Sequence, residues 1–172
     1  NAQLEYDTAR PENVSLDGAG HLRITARQEA YLGSNYTSGR ITTRAFFAQA
    51  KGRFEARIKL PVGQGIWPAF WLLGDDIGTV GWPGCGEIDI MELTGDLPNR
   101  VLGTVHYGAN TSQHQYITQS KYLSGTDNFQ DEFHVFSINW ENNLIQFLVD
   151  DEVYHTITPA SLNCATYPFN KN

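Results

Sequence analysis

The sequence predicts an all-β protein, a sandwich or jelly roll of antiparallel sheets. Three observations carry that expectation. About ten short strand-like runs follow one another with turn residues between them. Glycine is frequent, at 16 of 172 residues, and long alanine- or leucine-rich helical stretches are absent. Neither an internal repeat nor a linker breaks the pattern, so the chain reads as one domain, long enough for a sizeable core.

Taken in order, residues 1–12 are polar and close on Arg10-Pro11-Glu12. Val14–Leu16 is a short strand and Asp17-Gly18-Ala19-Gly20 a turn signal. His21–Arg27 alternates, with Leu22, Ile24 and Ala26 on an inner face, so the pair reads as a hairpin. Residues 28–39 read as a polar loop and Arg40–Arg44 as another short strand. Arg53–Leu60 is the cleanest strand: Phe54, Ala56, Ile58 and Leu60 alternate with charges, as on a half-buried antiparallel strand. Pro61 ends it. Ile66–Leu73 is apolar on both faces and reads as a central strand. A loop over 74–84 leads to an acidic strand, then come Arg100–Tyr107 and His114–Tyr122. Phe133–Trp140 and Leu144–Val149 flank a tight turn at Glu141-Asn142-Asn143, and Asp150-Asp151 turns into Glu152–Ile157. The tail from Pro159 shows only a possible helical turn near Ser161.

The acidic strand holds the chemistry. Within W-P-G-C-G-E-I-D-I-M-E-L-T-G (82–95), Glu87, Asp89 and Glu92 are interleaved with Ile88, Ile90 and Met91. A buried unpaired charge costs several kcal/mol, so this is a strand with an apolar back and an acidic front. Glu87 and Asp89 share a face; Glu92, five residues on from Glu87, falls on the other. One extra residue taken up in a β-bulge at Met91 or its neighbour returns Glu92 to the acidic face.

Two carboxylates of different pKa flanking a bond are the apparatus of glycoside hydrolysis, about 5–5.5 Å apart for retention and about 6.5–9.5 Å for inversion. Four regular steps span roughly 13 Å at about 3.3 Å per residue, so only a bent strand and long side chains bring Glu87 and Glu92 within the shorter range. Asp89, between them, raises the pKa of at least one partner, and the three titrate as a unit. Trp67, Trp71, Trp82 and Trp140 lie near this strand or on a neighbour and offer platforms for sugar rings; Tyr107, Tyr116 and Phe147 are further candidates.

Each reading has a structural competitor. The trio lacks the Gly and Asp/Asn alternation of calcium loops, which disfavours calcium. Three acids on one face of an idle strand would repel one another. A tryptophan is more often core than platform, and Trp71 inside Phe70-Trp71-Leu72-Leu73 fits the core; Trp67, beside Gly65 and Pro68, is the better ligand candidate. His106 alone is as well read as a satisfied structural histidine as a site residue. Cys85 has the parity of Glu87 and is placed toward the same face. Arg40 and Arg57 serve either to bind hydroxyls or to balance the acids.

Composition narrows the partners. A net charge of −7 argues against nucleic acid. No apolar run is long enough to span a membrane. The chain opens without a leader-like stretch, which leaves a mature protein, a fragment or a cytosolic one. Cys85 and Cys164 are too few for a disulfide scaffold or an all-cysteine zinc site, and their pairing is open. Sequons at Asn13, Asn35 and Asn110 matter only in a eukaryotic secretory route.

Several motifs together resemble glycoside hydrolase family 16, in particular its laminarinase-type endo-β-1,3-glucanases. They are Y-T-S-G-R-I-T-T (36–43), G-R-F-E-A-R-I-K-L-P (52–61), G-Q-G-I-W-P-A-F-W-L-L-G (63–74), G-E-I-D-I-M-E (86–92) and G-T-V-H-Y-G (103–108), with the opening N-A-Q-L-E-Y-D-T-A-R-P-E-N-V. The resemblance covers nearly the whole chain in the expected order.

It implies a β-jelly-roll sandwich of two antiparallel sheets with a concave substrate cleft, and hydrolysis with retention. Glu87 would be the nucleophile, Asp89 its assisting acid and Glu92 the general acid/base. Trp67 matches a substrate-stacking tryptophan, Trp71 its strand neighbour and His106 a histidine near the acid/base; Trp82 and Arg40 are further substrate contacts. The residue inserted at Met91 points to β-1,3- or mixed β-1,3-1,4-glucan, because lichenases and xyloglucan transglycosylases have the shorter E-x-D-x-E spacing. The implied partner is a β-glucan polysaccharide, the implied location extracellular, and catalysis needs no cofactor. A structural calcium belongs to the family near the domain ends, where this chain offers no placeable site. The family domain begins earlier and continues beyond Pro168-Phe169-Asn170, so residues 1–172 read as a single catalytic domain incomplete at both ends. A non-catalytic β-glucan recognition protein on the same fold, and a transglycosylase, are the alternatives.

Overall fold

The computed structural model describes residues 3–163 and 166–171, so Cys164 and its possible pairing with Cys85 lie outside the described residues. The chain divides into two compact units, Asn1–Phe46 and Phe47–Asn172, and each is described by itself.

The first unit carries β1 (Glu5–Asp7), β2 (Val14–Leu16), β3 (Leu22–Ile24), β4 (Arg27–Tyr31) and β5 (Ser34–Ser38). β2 and β3 form the expected hairpin; the Asp17 carboxylate accepts from the backbone N–H of Ala19 and His21 and closes its turn. β5 pairs antiparallel with β4 and parallel with β1. Three expectations fail here. Residues 28–39 form two strands rather than a loop, because Leu32 and Gly33, both at positive φ, make a two-residue hairpin turn between Tyr31 and Ser34. Leu22 and Ile24 are exposed, so alternation on β3 marks a strand but not a buried face. Arg40–Arg44 is not a strand: the Thr42 hydroxyl accepts from Arg44 N–H and Phe46 N–H returns to Thr43 C=O, a local turn that competes with extended pairing. Asn13 is fully buried, donating to Thr25 C=O and to the Thr37 hydroxyl, so its sequon offers no site for a glycan.

The second unit carries β6 (Gly52–Ile58), β7 (Ala69–Leu73), β8 (Glu87–Glu92), β9 (Arg100–Tyr107), β10 (Gln115–Tyr122), β11 (His134–Glu141), β12 (Leu144–Val149) and β13 (Glu152–Ile157). They form two four-stranded antiparallel sheets, in the orders β10-β9-β8-β7 and β13-β12-β11-β6. The sandwich expected from the strand pattern lies here. Its core joins Ile88, Ile90, Met91, Val101, Val105 and Tyr107 of one sheet to Phe136, Ile138, Trp140, Ile145, Phe147, Val149 and Ile157 of the other. The tight turns read from sequence are present: Asn143, Asp150 and Asp151 take positive φ, which Asn and Asp tolerate.

Two aromatic expectations change. Phe147 and Tyr107 are core residues, not cleft residues, and Trp140 is buried with its indole N–H donated to Phe169 C=O. The Ile66–Leu73 run is not a central strand either. Its strand begins at Ala69 and lies at one end of the described sheet order. Phe70 and Leu72 pack on the core while Trp71 pairs with Asp89 on the other face, which explains an edge strand apolar on both sides. A single helical turn, Ile77–Val80, interrupts the loop before β8.

Candidate active site

The bulge is present in β8. On the β7 side the register steps from Trp71↔Asp89 to Phe70↔Met91, and on the β9 side from Asp89↔Thr104 to Glu92↔Leu102. One extra residue is thus taken up between Asp89 and Glu92. Ile90 and Met91 both enter the core, each 1% exposed. Burying two consecutive apolar side chains breaks the alternation and returns Glu92 to the face of Glu87 and Asp89. Across from the bulge, β9 carries Gly103. A Cβ there would lie 2.5 Å from the Tyr154 hydroxyl and 2.7 Å from the Phe147 ring, so the close approach requires glycine.

Each glutamate receives one indole N–H. Trp82 Nε1 donates to Glu87 Oε2 at 2.5 Å, and Trp67 Nε1 donates to Glu92 Oε1 at 2.9 Å. Backbone turns place both rings. Ile66 N–H returns to Gly63 C=O, Gly63 N–H to Gly95 C=O and Gly95 N–H to Ile66 C=O, tying the Trp67 loop to the end of β8. Cys85 N–H bonds Gly81 C=O and Gly86 N–H bonds Pro83 C=O, closing the loop of Trp82, whose peptide bond to Pro83 is cis. Among the described residues the other oxygen of Glu92 has only the Thr104 hydroxyl, at 3.5 Å, and that hydroxyl has a better acceptor in Thr118 at 2.9 Å.

Asp89 is the buried member, 4% exposed. Desolvation and then the charge of Glu92 push its carboxyl up to about 7, against a hydrogen bond shared with Glu87. Burial also raises Glu87, with Asp89 adding to the rise and the Trp82 hydrogen bond opposing it. Glu92 is raised by burial and held back chiefly by the Trp67 hydrogen bond. Three half-buried or buried acids therefore share fewer than three charges near neutral pH.

His106, paired across the sheet with Glu87, sits over this trio with Nε2 3.1 Å from Asp89 Oδ2. The contact has the distance but not the direction of a hydrogen bond, and Asp89 Oδ2 is buried without a hydrogen-bond partner. His106 Nδ1 lies 2.8 Å from His114 Nε2. The His114 ring is within 4.6 Å of the Trp82 ring and stacks on His106 at 5.1 Å, with Tyr116 beside both.

The structure thus brings together Glu87, Asp89, Glu92, Trp67, Trp71, Trp82 and His106. Trp67 and Trp82 enter as partners of the acids, a role that sequence did not assign; Trp67 also keeps an open ring face, 59% exposed. Arg40 belongs to the first unit, where its guanidinium lies 3.7 Å from Asp7. Cys85 is buried, Gly86 at positive φ breaks the parity it would share with Glu87, and the charges that act on its thiol are those of Asp76 and Lys171 rather than of the trio. Tyr116 is exposed on the acidic face, opposite His106 in the register. His114 went unnoticed because it precedes β10, and only the β9–β10 register carries it to His106. Among the described residues no cluster of three or more His, Cys, Asp or Glu side chains is arranged to hold a metal. No helix among them is long and apolar enough to cross a membrane.

Residues 3–172 match the family described as Glycosyl hydrolases family 16. The chain belongs to that family. It is 44% identical over 179 aligned positions to a beta-glucanase of Rhodothermus marinus, covering 99% of this chain and 62% of that protein. It is 33% identical to glucan endo-1,3-beta-glucosidase A1 of Niallia circulans, covering 100% of this chain and 26% of that one. The chain therefore spans less than two thirds of the length of either relative. The laminarinase catalytic domain of Thermotoga maritima superposes with a TM-score of 0.88 at 38% identity, over 99% of this chain and 69% of that chain. The jelly-roll sandwich implied by the sequence motifs is the fold of this family 16 chain.

Proposed function

We propose that this chain cleaves β-1,3-glucosidic bonds inside laminarin-type or mixed β-1,3-1,4-glucans by double displacement with retention. The observation that carries the reading is the acidic face of β8, where each glutamate is bound by its own indole and the aspartate between them is buried. Family membership and the glucanase activities for which the relatives are named support the same substrate class.

The local bonding divides the roles. Glu87 is the attacking oxygen base: the Trp82 N–H favours its carboxylate against burial and the neighbouring Asp89, which raise it. Glu92 leaves Oε2 with only a weak neighbour, a place for a proton. Glu92 gives that proton to the glycosidic oxygen as the C1–O bond breaks, and Glu87 forms an ester bond to C1. Water then attacks C1, its proton passes to Glu92, and Glu87 departs as carboxylate. Asp89, its carboxyl pushed up to about 7 by burial and then by the charge of Glu92, shares one proton with Glu87 across their hydrogen bond and lessens the repulsion within the trio. Trp67 and Trp71 flank the acids as platforms for glucosyl rings. A polymeric glucan calls for a secreted enzyme, and that location belongs to the same proposal.

Reducing-sugar release from laminarin tests the reading, with proton NMR of the first product to assign its anomer. Release of β-configured ends that Glu87→Gln abolishes is the expected result. Substantial activity in Glu87→Gln, or capture on insoluble glucan without any hydrolysis by the unaltered chain, overturns it.

A further inference from the structure

His114 has no part in the reaction as derived above, yet it is half-buried and held in a defined place. The turn before it is closed by Asn110, whose side chain accepts from Ser112 N–H, and by Gly108, where a Cβ would lie 2.3 Å from Gln113 C=O. Its ring lies between those of Trp82 and Tyr116, at 4.6 and 6.0 Å. The only polar contact described for it is the 2.8 Å approach of its Nε2 to His106 Nδ1.

We propose that His114 is a positioning residue for the acidic trio: its Nε2–H, donated to His106 Nδ1, fixes His106 as the Nε2–H tautomer and so aims a donor at Asp89 Oδ2. Two ring nitrogens this close need one proton between them. If that proton sits on His106 Nδ1, a neutral His106 presents a bare nitrogen to Asp89 Oδ2 at 3.1 Å, which is favourable only while Asp89 is itself protonated. If it sits on His114 Nε2, His106 carries its proton on Nε2, and Asp89 accepts it as either acid or carboxylate. The second arrangement works on both sides of the Asp89 titration, and it gives the otherwise unpartnered Oδ2 a donor.

The titratable groups that face the imidazole pair are Glu87, Asp89 and Glu92 of β8 and Tyr116 of β10. Burial, then the neighbouring imidazole, holds His114 below its usual value, which keeps it a neutral donor near pH 7. The 3.1 Å approach is poorly aligned in the resting site; such bonds commonly tighten when substrate arrives. His114 touches no reacting atom on this reading and acts only through His106.

The test uses the full chain and three readouts: imidazole 15N shifts for the His106 tautomer, carboxyl 13C shifts for the Asp89 titration, and kcat and KM on laminarin. The unaltered protein is expected to show His106 protonated on Nε2 near pH 7. His114→Phe keeps a flat ring between Trp82 and Tyr116 but offers no donor. It is expected to mix the His106 tautomers and move the Asp89 midpoint up by roughly half a pH unit, because a bare Nε2 then favours protonated Asp89. It lowers kcat by about tenfold with KM little changed. His114→Gln, which retains an N–H donor, restores all three. His106 protonated on Nδ1 in the unaltered protein overturns the proposal without any variant. So does a His114→Phe protein with unchanged His106 tautomer and unchanged Asp89 titration. The kinetic arm rests on the glucanase reading, but the two NMR arms do not, so failure of that reading is distinguishable from failure of this one.

Discussion

Trp82 donates its indole N–H to Glu87 across 2.5 Å, from a loop that has no strand pairing of its own. That bond is the chief local influence holding Glu87 down against burial and the neighbouring Asp89. Replacing Trp82 with Phe keeps an aromatic ring and removes the donor. Glu87 then holds its proton to higher pH, and the ionised nucleophile becomes scarcer on the acid side. We expect the acid limb of kcat/KM on laminarin to move up by about one pH unit, with about a tenfold loss well below the optimum. An unmoved acid limb in a folded Trp82→Phe protein would show that the bond does not govern the nucleophile.

Trp67 makes the matching bond to Glu92, and its loss should act on the opposite limb. The indole N–H lowers Glu92, which is otherwise raised by burial. In Trp67→Phe the acid therefore stays protonated to higher pH, so the basic limb moves upward while the acid limb stays in place. Because the exposed ring face is reduced rather than lost, KM should rise only a few-fold. A pH–rate series on the two tryptophan variants side by side checks this; the same limb moving in both would contradict the division of roles between Glu87 and Glu92.

Asp89 should weaken the fold at neutral pH. Its carboxyl lies at about 7 in the folded chain against an ordinary value of 3.8, so the folded state binds the proton more tightly than the unfolded state does. The stabilisation from that proton is complete below the ordinary value and is lost as pH rises through about 7. Asp89→Asn removes the dependence. We expect the variant to gain roughly 2–4 kcal/mol over the unaltered protein at pH 8 and little at pH 4, with laminarin hydrolysis sharply reduced. Urea unfolding at both pH values measures the difference. An equal effect at the two pH values would mean that packing of the amide, not the charge, is responsible.

Legibility in the sequence follows where burial is one-sided. β6, β8, β9, β11 and β12 announce themselves, Arg100–Tyr107 to the residue, because most of their apolar positions face a core. β4 and β5 were hidden because their ladder pairs Arg27, Gln28 and Tyr31 with Thr37, Tyr36 and Ser34, without an apolar stripe, and because a two-residue turn at Leu32–Gly33 looks like the middle of a loop. The acids were legible for a related reason: three charges among apolar neighbours have few structural uses. The bonds of Trp67 and Trp82 were not, since backbone turns at Gly63–Gly95 and Gly81–Gly86 set where those rings point. His114 depends on the partner strand's register, which local sequence does not state.

The bulge itself can be tested by deleting Met91. Without that residue the strand reads Glu-Ile-Asp-Ile-Glu, and plain alternation places all three acids on one face with no bulge. The fold should survive, at a cost of about 2–5 kcal/mol for the buried side chain that is lost. The spacing of the outer carboxyls and the direction of the second one change with the strand's bend, so the expected result is a large fall in laminarin hydrolysis. Met91→Gly separates the two effects. It removes the same side chain but keeps the residue count, so the bulge persists and Ile90 still anchors its apolar side in the core. Similar stability in the two variants, with activity retained by Met91→Gly and lost by the deletion, assigns the effect to backbone geometry. If both lose activity in parallel with their stability, core packing rather than the aim of Glu92 is what the extra residue provides.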